Sequence, residues 1–383
     1  MRNTNRFTSL AALLVLISAA RPASAFEGLA VFSSPYPITA RISAAEKAGA
    51  VVFDTGFSRE PAAPYDQVMV QGEMPEDSLE LQLSVGSKFL FFGASDKFRP
   101  DAVRRFPDGR FWARFSLPEA SREPLRLRAV NKGVARDHAF VIYEVEPLSS
   151  SRTGEGPDVT GGVSPRDPSI YVPEGLPFPI VRRQDWKAAP PKEPYEAQRP
   201  ARITFHHTAG RKPATVEAAY EEVRFIQDYH QNGKGWNDIG YHFVLDPFGT
   251  IFEGRPFGVV GAHVLHQNTD NVGISIMGNY HPPASDVPEF GSLKSLTVIA
   301  AWLAGNYAIP ATQFFGHRDL GATTCPGDLL YARKAELAGA IAAPAPAPVR
   351  APEPPAPLDP AETASPALRQ LENWGHNTNF DGH

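Results

Sequence analysis

Between residues 51 and 145 the apolar positions recur with a period of two. Residues 51–53, 67–70, 79–85, 110–117, 125–130 and 138–145 are short runs rich in β-branched and aromatic side chains. Leu79, Leu81 and Leu83 share one face of such a run, and Glu80, Gln82 and Ser84 the other, as in a strand with one face buried. Turn signals separate the runs, among them Pro107-Asp108-Gly109 and Asn131-Lys132-Gly133. Short, evenly spaced strands predict an all-β, β-sandwich-like domain over residues 26–148. It shows no catalytic constellation and reads as structural or adhesive.

Residues 149–178 are rich in Ser, Gly and Pro and read as a linker. From 179 to 341 strands alternate with helical patterns, which predicts an α/β domain with a central mixed sheet flanked by helices. Residues 202–206 read as a strand. Over 214–230 a helix is expected, with Val216, Tyr220, Val223 and Gln227 on one stripe, Ile226 beside it and Glu217 in the first turn. Strands follow at 240–245 and 250–253, joined by the turn Asp246-Pro247-Phe248-Gly249, and at 272–277. A helix over 293–307 would bury Leu296, Ile299, Ala300 and Leu303. A last strand is expected at 312–316. Pro326 is then expected to open a helix running towards Ile341, since proline is tolerated at the first helical position. Residues 342–383 begin as a Pro/Ala tract that has little to pack.

The chain has 383 residues and a formal net charge of −5, so it lacks the basic footprint of a nucleic-acid binder. Its start reads as a secretory signal over residues 1–25: Arg2 and Arg6, an apolar run at 10–20, and Ala23-Ser24-Ala25 as the cleavage site. That run is shorter than the roughly 20 residues a membrane span needs. The expectation is an exported monomer, in the periplasm, cell envelope or outside the cell, with no membrane span after signal removal. Cys325 is its one cysteine, so no internal disulfide is possible and the thiol invites another explanation.

Three features converge in the α/β region. His206 ends a strand in His206-His207-Thr208, His317 ends another in Gly316-His317-Arg318-Asp319, and Cys325 follows in Thr324-Cys325-Pro326-Gly327. Two imidazoles and a thiolate suit zinc, and three protein ligands leave a fourth position for an activated water. The spacing matches none of the short zinc-finger patterns. A histidine at a strand end is more often structural, and a lone cysteine more often a small buried side chain, so the residues by themselves leave both readings open.

Residues 179–341 resemble the peptidoglycan recognition protein and type 2 N-acetylmuramoyl-L-alanine amidase family, which includes phage amidases. The matching segments run in order: the opening Arg183-x-x-Trp186 followed by Ala188 and Ala189, then ITFHHTAG at 203–210, WNDIGYHFVL at 236–245, IFEGRP at 251–256, VGAH at 260–263, NVGISIMGNY at 271–280 and GHRDLGATTCPG at 316–327. The resemblance does not cover the β-rich domain or the tail. It implies Zn2+ held by His206, His317 and Cys325, with His207 a structural neighbour. It also implies that Tyr241 stands beside the metal and hydrogen-bonds the attacking water or the oxyanion. By strand alternation Tyr241, Phe243 and Leu245 share a face, so a packing role for Tyr241 stays open. Thr323 lies where phage-type members carry lysine and recognition-type members often carry threonine; it can donate a hydrogen bond but brings no charge. Arg255, His263 and Asn271 are the candidates for lining a groove that binds glycan or peptide. Asp319 reads as a residue that orients a neighbour.

The implied activity is hydrolysis of the lactyl–L-alanine amide of peptidoglycan, with the glycan strand and stem peptide as partners. The alternative is a peptidoglycan-binding protein that does not cut; such members typically lose the cysteine ligand. Because every matching residue follows the linker, a fragment beginning near residue 175 is expected to fold and to cleave soluble muropeptides.

Overall fold

The structure, a computed structural model, describes Phe32 and residues 36–74, 77–86, 96–150 and 176–342. The expected signal segment, most of the expected linker and nearly all of the expected tail lie outside the described residues.

Among the described residues the N-terminal part contains nine strands: β1 (Ile38–Ile42), β2 (Val51–Asp54), β3 (Tyr65–Glu73), β4 (Leu79–Val85), β5 (Asp96–Phe98), β6 (Ala102–Arg105), β7 (Arg110–Ser121), β8 (Leu125–Asn131) and β9 (His138–Leu148). They form two antiparallel sheets, ordered β1-β9-β3-β7-β6 and β2-β8-β4-β5. The inward positions of the two sheets share one apolar core. Val68, Val70, Phe111, Ala113, Phe115, Phe140 and Ile142 come from the first; Leu79, Leu81, Leu83, Leu125, Leu127 and Ala129 come from the second. That is the sandwich expected from the alternation. Sequence reading passed over β1, β5 and β6, of which β5 and β6 are too short and too charged to show a period.

The C-terminal part is built on β10 (Arg202–His207), β11 (Phe243–Leu245), β12 (Ile251–Glu253), β13 (Asn271–Ile276) and β14 (Phe314–Gly316), in the order β12-β11-β13-β10-β14. Four of these strands are parallel and the edge strand β12 is antiparallel, so the sheet is mixed, as expected. One face carries Ile203, Phe205, Phe243, Leu245, Ile274 and Ile276 against helices α2 (Phe290–Tyr307) and α4 (Lys334–Ala342). The other carries Val244 and Phe252 beneath helix α1 (Val216–Asp228). The Thr215 hydroxyl caps α1 by accepting from the Ala218 N–H, and Glu217 sits favourably in its first turn.

Three local expectations are corrected. Val216 is 38% exposed, because the buried face of α1 starts one turn later, at Ala219, Val223 and Ile226. The strand β11 begins at Phe243, three residues later than expected, because Gly240, Tyr241 and His242 run as irregular backbone. Their carbonyls accept from Ala262, Arg255 and Gly254 respectively. Tyr241 therefore does not share a face with Phe243 and Leu245; it packs on the α1 side. Pro326 does not open a long helix either. Gly327 follows at φ +87°, outside the helical region, and the chain makes a short helix α3 (Asp328–Tyr331) before α4.

Besides its own core, each part contributes to a shared third cluster. Met69 and Trp112, on the outer face of the first sandwich sheet, join Ala219, Val223, Phe225, Ile226 and Tyr229 in one buried cluster. Fully buried Arg110 makes a two-pronged ion pair with fully buried Glu222 of α1, at 3.1 and 3.0 Å. Its guanidinium also lies 3.7 Å from the centroid of the Phe225 ring. Around this pair, the Trp112 indole N–H donates to Asp228 at 2.8 Å, Arg104 meets Asp228 at 2.9 Å and Lys234 meets Glu146 at 2.7 Å.

Candidate metal centre

Parallel strands bring their C-terminal ends to one edge of a sheet, and that edge is where ligands gather in open α/β folds. Here β10 ends in His206 and His207, and β14 ends at Gly316 with His317 starting a tight 3-10 turn. Alternation along β10 puts Ile203 and Phe205 into the α2 core and turns His206 to the α1 side. The turn after β14 is pinned from both ends. Asp319 accepts from the Gly316 N–H at 2.7 Å and pairs with Lys334 at 2.7 Å. The Arg318 N–H donates to the Cys325 carbonyl at 3.0 Å, and the Arg318 guanidinium pairs with Asp328 at 2.8 Å. This folds the loop back so that Cys325 faces His206. Asp319 thus ties the Gly316 backbone to Lys334.

The ligand atoms of His206, His317 and Cys325 all lie within 4.8 Å of one another. His206 Nδ1 is 3.6 Å from Cys325 Sγ. A tetrahedral zinc with bonds of about 2.3 Å to sulfur and about 2.0–2.1 Å to nitrogen separates two such ligands by roughly 3.6 Å, so the donor set fits zinc in kind and in this spacing. The His207 backbone N–H points at Sγ from 3.4 Å, a contact that favours a thiolate. Burial, and next the neighbouring His317 imidazole, hold His206 well below the usual histidine range. Burial likewise lowers His317 to about 3. Both rings are therefore neutral near pH 7, the state that binds a metal.

Tyr241 and Thr323 border the same cleft as His317 and Cys325. The Tyr241 ring centroid is 5.3 Å from that of His206. The Thr323 hydroxyl oxygen accepts from the Cys325 N–H at 3.1 Å. The remaining candidates separate. Arg255 is buried away from the cleft lining, its guanidinium donating to the carbonyls of Ile239 at 2.7 Å and Val260 at 3.0 Å. Asn271 is fully buried in β13, its side chain accepting from Thr204 at 2.8 Å and donating to the Gln267 carbonyl at 2.9 Å. Neither borders this cleft, and both side chains are engaged within the fold. His263 does border the cleft, but its ring nitrogens are engaged with His206 at 3.0 Å and the Asn271 carbonyl at 2.9 Å.

A family model described as N-acetylmuramoyl-L-alanine amidase matches residues 196–328, a span that contains His206, His317 and Cys325. Peptidoglycan-recognition protein SC2 of Drosophila simulans is 35% identical over 127 residues, covering 33% of this chain and 68% of that one. Peptidoglycan recognition protein 1 of Bos indicus is 36% identical over 157 residues, covering 40% and 80%. The chain belongs to the peptidoglycan recognition protein and type 2 amidase family. The N-acetylmuramoyl-L-alanine amidase of Homo sapiens is also similar, at 35% over 158 residues, covering 40% of this chain and 27% of that one.

The family match excludes one wall of the cleft. Gln71, Glu144 and Glu146, from β3 and β9 of the sandwich, border it together with Tyr229, His230, Lys234 and Trp236. Sequence reading missed all seven. Trp236 opens a matched segment and so offered a signal, whereas the sandwich residues offered none. Glu144 accepts from Gln71 at 2.9 Å, and burial, then the charge of Glu146, raise its pKa.

Proposed function

We propose that the chain is an exported, monomeric, zinc-dependent N-acetylmuramoyl-L-alanine amidase that hydrolyses the lactyl–L-alanine amide of peptidoglycan. The observation that carries this reading is the complete His206, His317 and Cys325 donor set gathered at the strand ends of a family fold. Among the described residues no helix is long and apolar enough to cross a membrane.

His206, His317 and Cys325 would hold Zn2+, which lowers the pKa of a bound water towards 7 and polarises a carbonyl oxygen when present. The chain's own residues do the rest. The Tyr241 hydroxyl, at the cleft edge beside His206, donates to the oxygen on which negative charge develops as the amide carbon becomes tetrahedral. The Thr323 hydroxyl oxygen accepts from the Cys325 N–H, which leaves its hydroxyl hydrogen to donate to the same oxygen. Tyr241 or solvent then protonates the departing L-alanine nitrogen. Binding of the sugar and the stem peptide along the cleft orients the scissile bond.

The test compares wild type with Cys325→Ala for zinc content and for stem peptide released from purified peptidoglycan, read by mass spectrometry. Wild type should hold about one zinc per chain and release peptides that begin with L-alanine; the variant should do neither. A wild type that binds peptidoglycan, takes up no zinc and releases nothing would identify a binding protein instead. A Cys325→Ala protein with full zinc and full turnover would remove this ligand set.

A further inference from the structure

His206 offers two ring nitrogens to two different neighbours. Nδ1 faces Cys325 Sγ at 3.6 Å, and Nε2 lies 3.0 Å from Nδ1 of His263. The other nitrogen of His263, Nε2, is 2.9 Å from the backbone carbonyl of Asn271. A carbonyl oxygen only accepts, so Nε2 of His263 carries a hydrogen and donates it. In a neutral ring Nδ1 of His263 is then the acceptor, and the hydrogen between the rings belongs to Nε2 of His206. That leaves Nδ1 of His206 with a bare lone pair, directed at the side where Cys325 and His317 gather. The polarity of one backbone carbonyl thus runs through two imidazoles to the metal-facing atom.

The chain holds this relay rigidly. A Cβ on Gly273 would lie 2.6 Å from Cγ of His263, so the imidazole sits in a slot that only glycine leaves open. The His263 N–H donates to Asn268 at 2.7 Å. Asn271 is fixed in turn by its side-chain bonds to Thr204 and Gln267. The two rings meet edge to face, with centroids 5.0 Å apart and planes at 88°, so His263 sets the plane of His206 as well as its tautomer.

We propose that His263 is a positioning residue: it fixes the tautomer and ring orientation of His206 for metal binding, and does not serve primarily as a substrate contact. This rests on the zinc reading given above. Partners behind a metal-bound histidine are typically worth 10–100-fold in metal affinity.

The experiment measures Zn2+ affinity of the full chain by chelator competition, in wild type, His263→Leu and His263→Asn. Leucine fills space and removes the acceptor; asparagine can return an oxygen near the position of Nδ1. We expect His263→Leu to lose roughly 10–100-fold in affinity and His263→Asn to recover part of it. A folded His263→Leu that binds zinc within twofold of wild type overturns the proposal. Should the leucine variant fail to fold, long-range proton–nitrogen spectra of the unaltered zinc-loaded protein decide. Hydrogens on Nε2 of both His206 and His263 support the relay, and a hydrogen on Nδ1 of His263 refutes it. A wild type that binds no zinc would instead bring down the metal reading on which this one stands.

Discussion

Arg110→Ala should destabilise the whole molecule although the residue is far outside the matched family segment. Both partners of the Arg110–Glu222 pair are fully buried. The guanidinium also donates to the Gly72 carbonyl at 3.1 Å and to Gln71 at 3.0 Å. Removing one member of a buried ion pair leaves the other charged and unsolvated, which costs about 3–5 kcal/mol. Arg211 approaches Glu222 at 3.4 Å but is shared with Asp108 and Glu73, so it offsets only part of the loss. Replacing both partners, as Arg110→Met with Glu222→Met, should cost less than the single change, because no stranded carboxylate remains.

Urea unfolding would be followed by far-ultraviolet circular dichroism and by tryptophan fluorescence, since Trp112 and Trp186 both sit in the shared cluster. The single variant should shift the midpoint by the equivalent of about 3–5 kcal/mol, with both probes moving together. A fragment of residues 176–342 should be far less stable than the full chain, because it exposes Phe225, which packs on Phe106 and Arg110, and strands Glu222. This reverses the expectation from motif positions that such a fragment folds unaided. A loss under about 1 kcal/mol in Arg110→Ala, or a fragment with full-chain stability, would refute the shared-core argument.

Tyr241→Phe should keep its fold and its zinc but lose roughly 10²–10³ in turnover on muropeptides, the usual value of one oxyanion donor; unchanged turnover would reduce the residue to packing. Stability should fall on acidification through His242, whose pKa burial lowers from 6.5 to about 4. Its folded pKa lies below the unfolded value, so between pH 6.5 and about 4 the unfolded chain binds a proton that the folded chain refuses, and stability is lost as pH drops through that window. From pH 7 to 5 this amounts to about 2 kcal/mol. Glu144, raised by burial, works in the opposite sense, so the clean readout is a difference. The loss from pH 7 to 5 in His242→Gln should be smaller than in wild type by about that amount, and an identical loss would remove His242 as a cause.

The sequence reading reached the sandwich and the mixed sheet because both rest on local periodicity. His206, His317 and Cys325, which the fold brings together, were legible because each lies in a contiguous segment that resembles the family. The reading went astray where the outcome depended on distant chain. Arg255 was expected on a groove, yet its guanidinium is spent on the carbonyls of Ile239 and Val260, which no spacing rule reveals. Tyr241 was placed on the wrong face because alternation was extended through Gly240, where the backbone bonds to three separate segments instead of one neighbouring strand. The contact of His263 with His206 is equally hidden from the sequence, since it joins residues fifty-seven positions apart.

The role of the sandwich was the hardest to see, and a single bulge explains why. Val68 and Val70 of β3 point into the sandwich core, so Met69 and Gln71 point out. On β9, Phe140 and Ile142 point in, and uninterrupted alternation would turn Glu144 inward as well. The β3–β9 register shifts between Gln71 and Gly72, where the partners change from Glu144 to Ile142. The extra residue re-phases the strand, so that Val145 returns to the core while Glu144 and Glu146 face outward. Bulges re-aim side chains in this way. The outer face that results has two uses. Met69 and Trp112 bury α1, while Gln71, Glu144 and Glu146 border the cleft that His317 and Cys325 also line. A sandwich that only tethered the protein to the wall would need neither, so the outer face ties the N-terminal part to the site itself.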